Sequence, residues 1–196
     1  MRPKIGNGYL LLLNRPGLIP WGTGGRASHA LMSVWHATKF GRALLVVEAR
    51  EGKGIRAVTL SSQVRRFPGL IDLYEPVGCP REVREYAAWI AMLQTGKGYD
   101  YAGLFRVAFE RLKILSGAAY LLGLTLREAP TGWDDDKFCS EGFHWFYLRA
   151  IDELESRTKW RPIYNIAPRR VVPVDLERTG SFRCVARGLT HGKVAA

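Results

Sequence analysis

Cysteine is scarce in this chain, long hydrophobic runs are missing, and acid is in short supply against base. Only Cys79, Cys139 and Cys184 occur in 196 residues. They have no metal-ligand spacing, and an odd number does not make a disulfide framework. A reducing compartment, or a thiol that must stay free, fits better, and neither a metal nor another cofactor is expected. The longest uncharged apolar stretch, Ile114 to Leu126, is too short to span a bilayer. Near the start, Leu10 to Leu13 is cut off by Asn14-Arg15-Pro16-Gly17, which is not a signal-peptide pattern. The expectation is a soluble protein, cytoplasmic at synthesis. Delivery to the cell wall by a phage particle or a secretion system would leave no mark in these residues. Internal repeats and low-complexity blocks are absent, as are zinc-finger and RRM signatures, which disfavours nucleic acid as a partner.

What is present fits one compact domain over residues 1–196 with a sizeable core: 47% hydrophobic and 24% charged residues are ordinary globular values. The formal net charge of +11 favours anionic partners. Bacterial cell wall, with its carboxylates and anionic polymers, is one such partner and an anionic membrane surface another. Simple solubility is the plain alternative. The oligomeric state is not written in the composition.

Residues 8–13, 29–36 and 43–49 read as strands, with Arg56–Leu60 a fourth candidate and Ile71–Tyr74 a fifth. Gly22-Thr23-Gly24-Gly25 lacks the spacing and following helix of a phosphate-binding loop and reads as a flexible loop. Pro80-Arg81-Glu82 opens a helix through Leu93, with Gly96 and Gly98 after it. From Tyr101 to Leu126 the pattern is helical and apolar. It reads as two core helices, and residues 103–130, which overlap it, read alternatively as a helical insertion or lid over an acyl chain or membrane surface. Ile163–Ile166, Arg170–Val174 and Phe182–Val185 read as returning strands. The fold class expected is α+β, an antiparallel sheet packed against a helical layer.

The chemistry centres on Cys139-Ser140-Glu141. A polar, turn-forming stretch gives way there to the apolar run Phe143-His144-Trp145-Phe146-Tyr147-Leu148, which reads as a helix running toward Glu155. Cys139 therefore falls at a helix N-terminus, where unpaired N–H groups and the dipole favour an anion and lower a thiol pKa. Such a nucleophile needs a base. His191 lies in a polar tail, and His144, five residues on, is rotated roughly 140° from the thiol. His29 and His36 remain, on opposite faces of one strand.

Glu48 supplies the orienting group. With a hairpin loop of about four residues, His36 pairs with Gly41 and His29 stands directly opposite Glu48 on one face. A carboxylate beside an imidazole fixes its tautomer and stabilises the imidazolium. Singly, each residue has a plainer reading: a buried apolar cysteine, a structural histidine, a solvated edge carboxylate. Together they point to nucleophilic catalysis.

The order of these segments resembles the circularly permuted NlpC-like branch of the papain-fold cysteine hydrolases, the YiiX-like proteins. Gly8-Tyr9-Leu10-Leu11-Leu12-Leu13 is similar to the family's opening strand, although Tyr9 stands where an Asp is usual. Ser28-His29 is similar to its Ser-His, and Val47-Glu48-Ala49 to the segment with the third polar residue. Gly98-Tyr99-Asp100-Tyr101 resembles its Tyr-Asp segment and Phe138-Cys139-Ser140-Glu141 its Cys-Ser-Glu signature, followed here by Gly142-Phe143 in place of an aliphatic pair. Val172-Pro173-Val174-Asp175-Leu176 resembles its Pro-x-Asp-Leu element. The resemblance implies a papain-like fold, Cys139, His29 and Glu48 as catalytic residues, and Ser28, Tyr99, Ser140 and Glu141 lining the substrate site. It implies hydrolysis of amide bonds, with a peptidase acting on peptidoglycan stem peptides as the leading expectation. A lipid acyltransferase or thioesterase on the same nucleophile, and a non-catalytic basic binding module, stay open beside it.

Overall fold

The computed structural model describes residues 3–98, 139–155, 158–163 and 171–190. Tyr99, His191, the 103–130 stretch and the strand expected over 164–166 lie outside them. The described chain runs β1 (Leu10–Asn14), α1 (Leu18–Thr23), β2 (Ala27–Thr38), β3 (Gly41–Arg50), β4 (Gly54–Thr59), α2 (Leu60–Arg66), β5 (Leu70–Pro76), α3 (Arg81–Leu93), α4 (Cys139–Glu153), α5 (Pro173–Arg178) and β6 (Phe182–Ala186). The strands form one six-stranded sheet in the order β4-β3-β2-β1-β5-β6. Every pairing in it is antiparallel. The fold is thus mixed α+β, with an antiparallel sheet packed against helices.

Both faces of the sheet are covered, which explains the unbroken Leu10–Leu13 run at its centre. Leu10 and Leu12 point into a core shared with Val83 and Ala87 of α3 and Phe143, Phe146 and Tyr147 of α4. Leu11 and Leu13 point the other way, against Leu60, Ile71 and Leu189. A strand buried on both faces loses the alternation that marks a one-sided strand. Burying each leucine contributes about 1.5–3 kcal/mol relative to leaving it exposed.

Helix α4 is fixed over the sheet at both ends of its buried stripe. At its start, Ser140 Oγ donates to Val171 O at 2.7 Å. Two turns on, Tyr147 Oη donates to Gly8 O at 2.5 Å. Gly8 has φ 75°, and a Cβ there would lie 2.5 Å from Tyr147 Oη, so glycine alone fits this approach. Tyr147 also stacks on Trp160, with ring centroids 4.9 Å apart, and Phe143 meets Phe182 edge-on at 5.6 Å.

Three expectations about local structure are corrected. Val172–Val174 does not continue a strand from Arg170: α5 begins at Pro173. Proline's fixed φ suits the first helical position, and the Asp175 carboxylate accepts the Val172 N–H at 2.9 Å. Leu60 leaves the β4 strand for α2 because Thr59 caps that helix, accepting from Ser62 N. The Gly22–Gly25 loop is helical through Thr23. Among the described residues, no helix is long and apolar enough to cross a membrane.

Candidate active site

His29 reaches the site from a disrupted stretch of β2. Leu13 pairs with His29 and Asn14 with Ala27, so Ser28 is the extra residue of a bulge. Its hydroxyl bonds Leu13 O at 2.9 Å. Bulges twist a strand and re-aim the side chains beside them. On the other side of β2 the ladder to β3 ends at Met32↔Val47. His29 and Glu48 thus lie just past the point where that ladder stops.

The hairpin register differs from the expected one. Thr38 pairs with Gly41 and His36 with Ala43, around a tight turn at Lys39-Phe40. The cause is local: Thr38 Oγ1 donates to Gly41 O at 2.9 Å and accepts the Phe40 N–H at 3.2 Å, closing the loop after two residues. The register slips by an even number, so every side chain keeps its face. Continued past Met32, it would set Glu48 across from Leu31 with His29 on the diagonal, a distance long side chains bridge. His29 Nε2 and Glu48 Oε2 are 2.9 Å apart.

Glu48 is held from the far side as well. It pairs with Arg56 across the β3–β4 hairpin. Arg56 Nε and Nη2 both donate to Glu48 Oε1, at 2.8 and 2.5 Å. Arg50 Nη1 stands 3.9 Å from the same oxygen. The Glu48 side chain is only 1% exposed, and burial alone would raise its pKa. The hydrogen bonds and charges of His29 and Arg56 outweigh that and bring it down to about 2.

Cys139 is the first residue of α4 and is buried. The His29 ring and the backbone N–H groups of Ala30 and Ser140 act on its thiol. Glu48 occupies Nε2 of that ring, and Nδ1 is its other nitrogen. Burial pushes the thiol pKa up, but the His29 charge, with these polar groups, carries it below the ordinary value. Burial likewise disfavours charge on His29, and Cys139 and Glu48 reverse this, raising the ring to about 10. These shifts favour a thiolate–imidazolium pair backed by a carboxylate. In its neutral form the ring keeps a proton on Nε2 for Glu48 and has a lone pair at Nδ1.

The remaining residues singled out from sequence sit as follows. Ser28 adjoins His29 with its hydroxyl committed to Leu13 O. Ser140 and Glu141 are buried in the first turn of α4, and the Ser140 hydroxyl is bonded to Val171 O. His36 is exposed near the hairpin tip. His144 is buried in the middle of α4, and neither ring nitrogen is hydrogen-bonded among the described residues. Burial lowers its pKa to about 4. Among the described residues, no group of three His, Cys, Asp or Glu side chains is arranged to hold a metal ion.

Sequence reasoning missed Arg56 and the Ala30 N–H. A signal for the first was present: Glu51-Gly52-Lys53-Gly54 is a turn sequence, and folding the chain about it sets Arg56 beside Glu48. No family model matches the chain, and a comparison with curated proteins finds no match either.

Proposed function

We propose that the protein is a cysteine hydrolase of amide bonds with a permuted papain-like, NlpC-like architecture, and that it acts on cell-wall stem peptides. One observation carries the chemical part of this reading: His29 Nε2 is 2.9 Å from Glu48 Oε2, and the charge of the same His29 ring draws the Cys139 thiol pKa down. A helix-terminal thiol, an imidazole and a buried carboxylate in line are what acyl transfer through a thioester requires. The substrate class rests on the ordered motifs that resemble the permuted family and on the +11 charge, which favours an anionic polymer.

In this mechanism the Cys139 thiolate attacks the amide carbonyl and forms a C–S bond. Negative charge gathers on the carbonyl oxygen, and the Cys139 backbone N–H at the start of α4 helps to stabilise it. As the C–N bond breaks, imidazolium His29 gives its Nδ1 proton to the leaving amine. The resulting thioester is attacked by water, whose proton passes to His29. Collapse of the second tetrahedral intermediate breaks the C–S bond, releases a carboxylate and restores the ion pair. Glu48 keeps the ring in the required tautomer throughout.

The test is incubation of the purified protein and a Cys139→Ala variant with muropeptides, read by mass spectrometry. Hydrolysis products from the first and none from the second are expected. Equal product from both would remove Cys139 from the reaction. No cleavage of any stem peptide, with thiol-dependent hydrolysis of fatty-acyl esters instead, would replace the peptide substrate by a lipid one.

A further inference from the structure

Glu48 is a bidentate acceptor with its two oxygens assigned to different tasks. Oε2 meets His29 Nε2 at 2.9 Å, and Oε1 takes two hydrogen bonds from Arg56, at 2.8 and 2.5 Å. Accepting on both oxygens fixes the torsion of the carboxylate as well as its position. A carboxylate held by one partner can rotate about its terminal bond, which is a soft torsion. Arg56 is itself anchored, because it sits in the β3–β4 ladder directly across from Glu48, and its side chain is 24% exposed.

We propose that Arg56 is a positioning residue for the Cys139–His29–Glu48 line: it clamps Glu48 Oε1 and so holds Oε2 against His29. This rests on the reading of those three residues as the catalytic machinery. Among the described residues, the charged groups around Glu48 are His29 from β2, Arg50 on its own strand and Arg56 from β4, with Cys139 beyond His29. Arg50 is a weaker contact, 3.9 Å from Oε1 and half exposed. Arg56 also helps to keep Glu48 ionised in a site where burial opposes charge. A guanidinium does this better than an ammonium because its planar fork delivers two bonds at once.

The experiment follows the imidazole N–H of His29 in the full chain labelled with ¹⁵N-histidine. The clamp makes the Nε2–H bond to Glu48 slow to open, so its proton exchanges slowly with water. In Arg56→Gln that exchange is expected to quicken about ten- to hundredfold, the loss of a charge-assisted bond. Backbone amides of the β1–β2 ladder are expected to exchange as before, and Arg56→Lys to recover part of the protection. Unchanged Nε2–H exchange, or acceleration only in step with the ladder amides, would overturn the proposal.

Should Arg56→Gln fail to fold, the Glu48→Gln/Arg56→Gln double variant decides the matter by urea denaturation. An Arg56 that acts through Glu48 makes the double variant as stable as Glu48→Gln alone. A further loss of stability would place its role elsewhere. These readouts need no substrate. Failure of the wild-type protein to cleave stem peptides would therefore count against the substrate assignment and leave the clamp standing.

Discussion

Replacing His29 with alanine tests the charge pair directly. The charge of His29 opposes the upward push of burial on the Cys139 thiol. Without it the thiol returns at least to its free pKa of about 8.5. At pH 6.5 about one thiol in a hundred is then ionised, a smaller share than in the pair, so alkylation by iodoacetamide slows. His36→Ala is the control. His36 lies seven residues along β2, about 24 Å away at 3.4 Å per residue, and is exposed to solvent. That exceeds the screening length of about 10 Å at 0.1 M salt, so its removal is expected to leave the rate within a factor of two or so. The assay is the pseudo-first-order loss of free Cys139, read by mass spectrometry across pH 5 to 9, with circular dichroism to report the fold. Fast alkylation surviving in His29→Ala but lost in folded His36→Ala would refute both the charge pair and the triad built on it.

Two further predictions concern stability. His144 is buried with no hydrogen bond to either nitrogen among the described residues, and its pKa falls from 6.5 to about 4 on folding. Above pH 6.5 both states are neutral and nothing is lost; as pH falls toward 4 the unfolded chain takes a proton the folded one refuses, which costs about 3 kcal/mol by the end of that window. Urea denaturation at pH 7 and pH 4.5 should show the wild type losing about 2–3 kcal/mol more than His144→Leu over the interval, and parallel losses would refute the assignment. Gly54 has φ 65°, and a Cβ there would lie 2.0 Å from the backbone oxygen of Lys97. Gly54→Ala is expected to cost more than about 3 kcal/mol, through the clash and the left-handed backbone together. Gly78→Ala, at φ 71° with nothing within 4 Å, should cost only about 1 kcal/mol, and equal losses in the two variants would mean that the Lys97 contact carries no weight.

The periodic parts of the fold were legible in the sequence because their signals are local. The apolar run after Cys139 has a helix period, and it lies in α4. The alternation on either side of Lys39-Phe40 marks two strands, and they pair as β2 and β3. Residue parity on one strand separates His29 from His36 whatever the register. That is why an incorrect loop length still left Glu48 within reach of His29: the error was two residues, and side chains in a strand repeat every two.

Tertiary structure decided the rest. The register of β2 on β3 depends on hydrogen bonds made by Thr38 inside a turn, and the bulge at Ser28 exists only as a mismatch between β2 and β1. The turn at Val172-Pro173 shows how a run of β-branched residues yields to a proline and a capping carboxylate once helix α5 can form. Arg56 acquires meaning only when β4 folds back on β3 and presents it to a carboxylate that water no longer reaches. Sequence by itself determined which residues carry reactive groups and which face of each element they occupy, because chemistry and period are properties of the local chain. Only the folded sheet decided which of those groups share a hydrogen bond, because removal from water and a separation of about 3 Å require strands distant in sequence to be locked in one register.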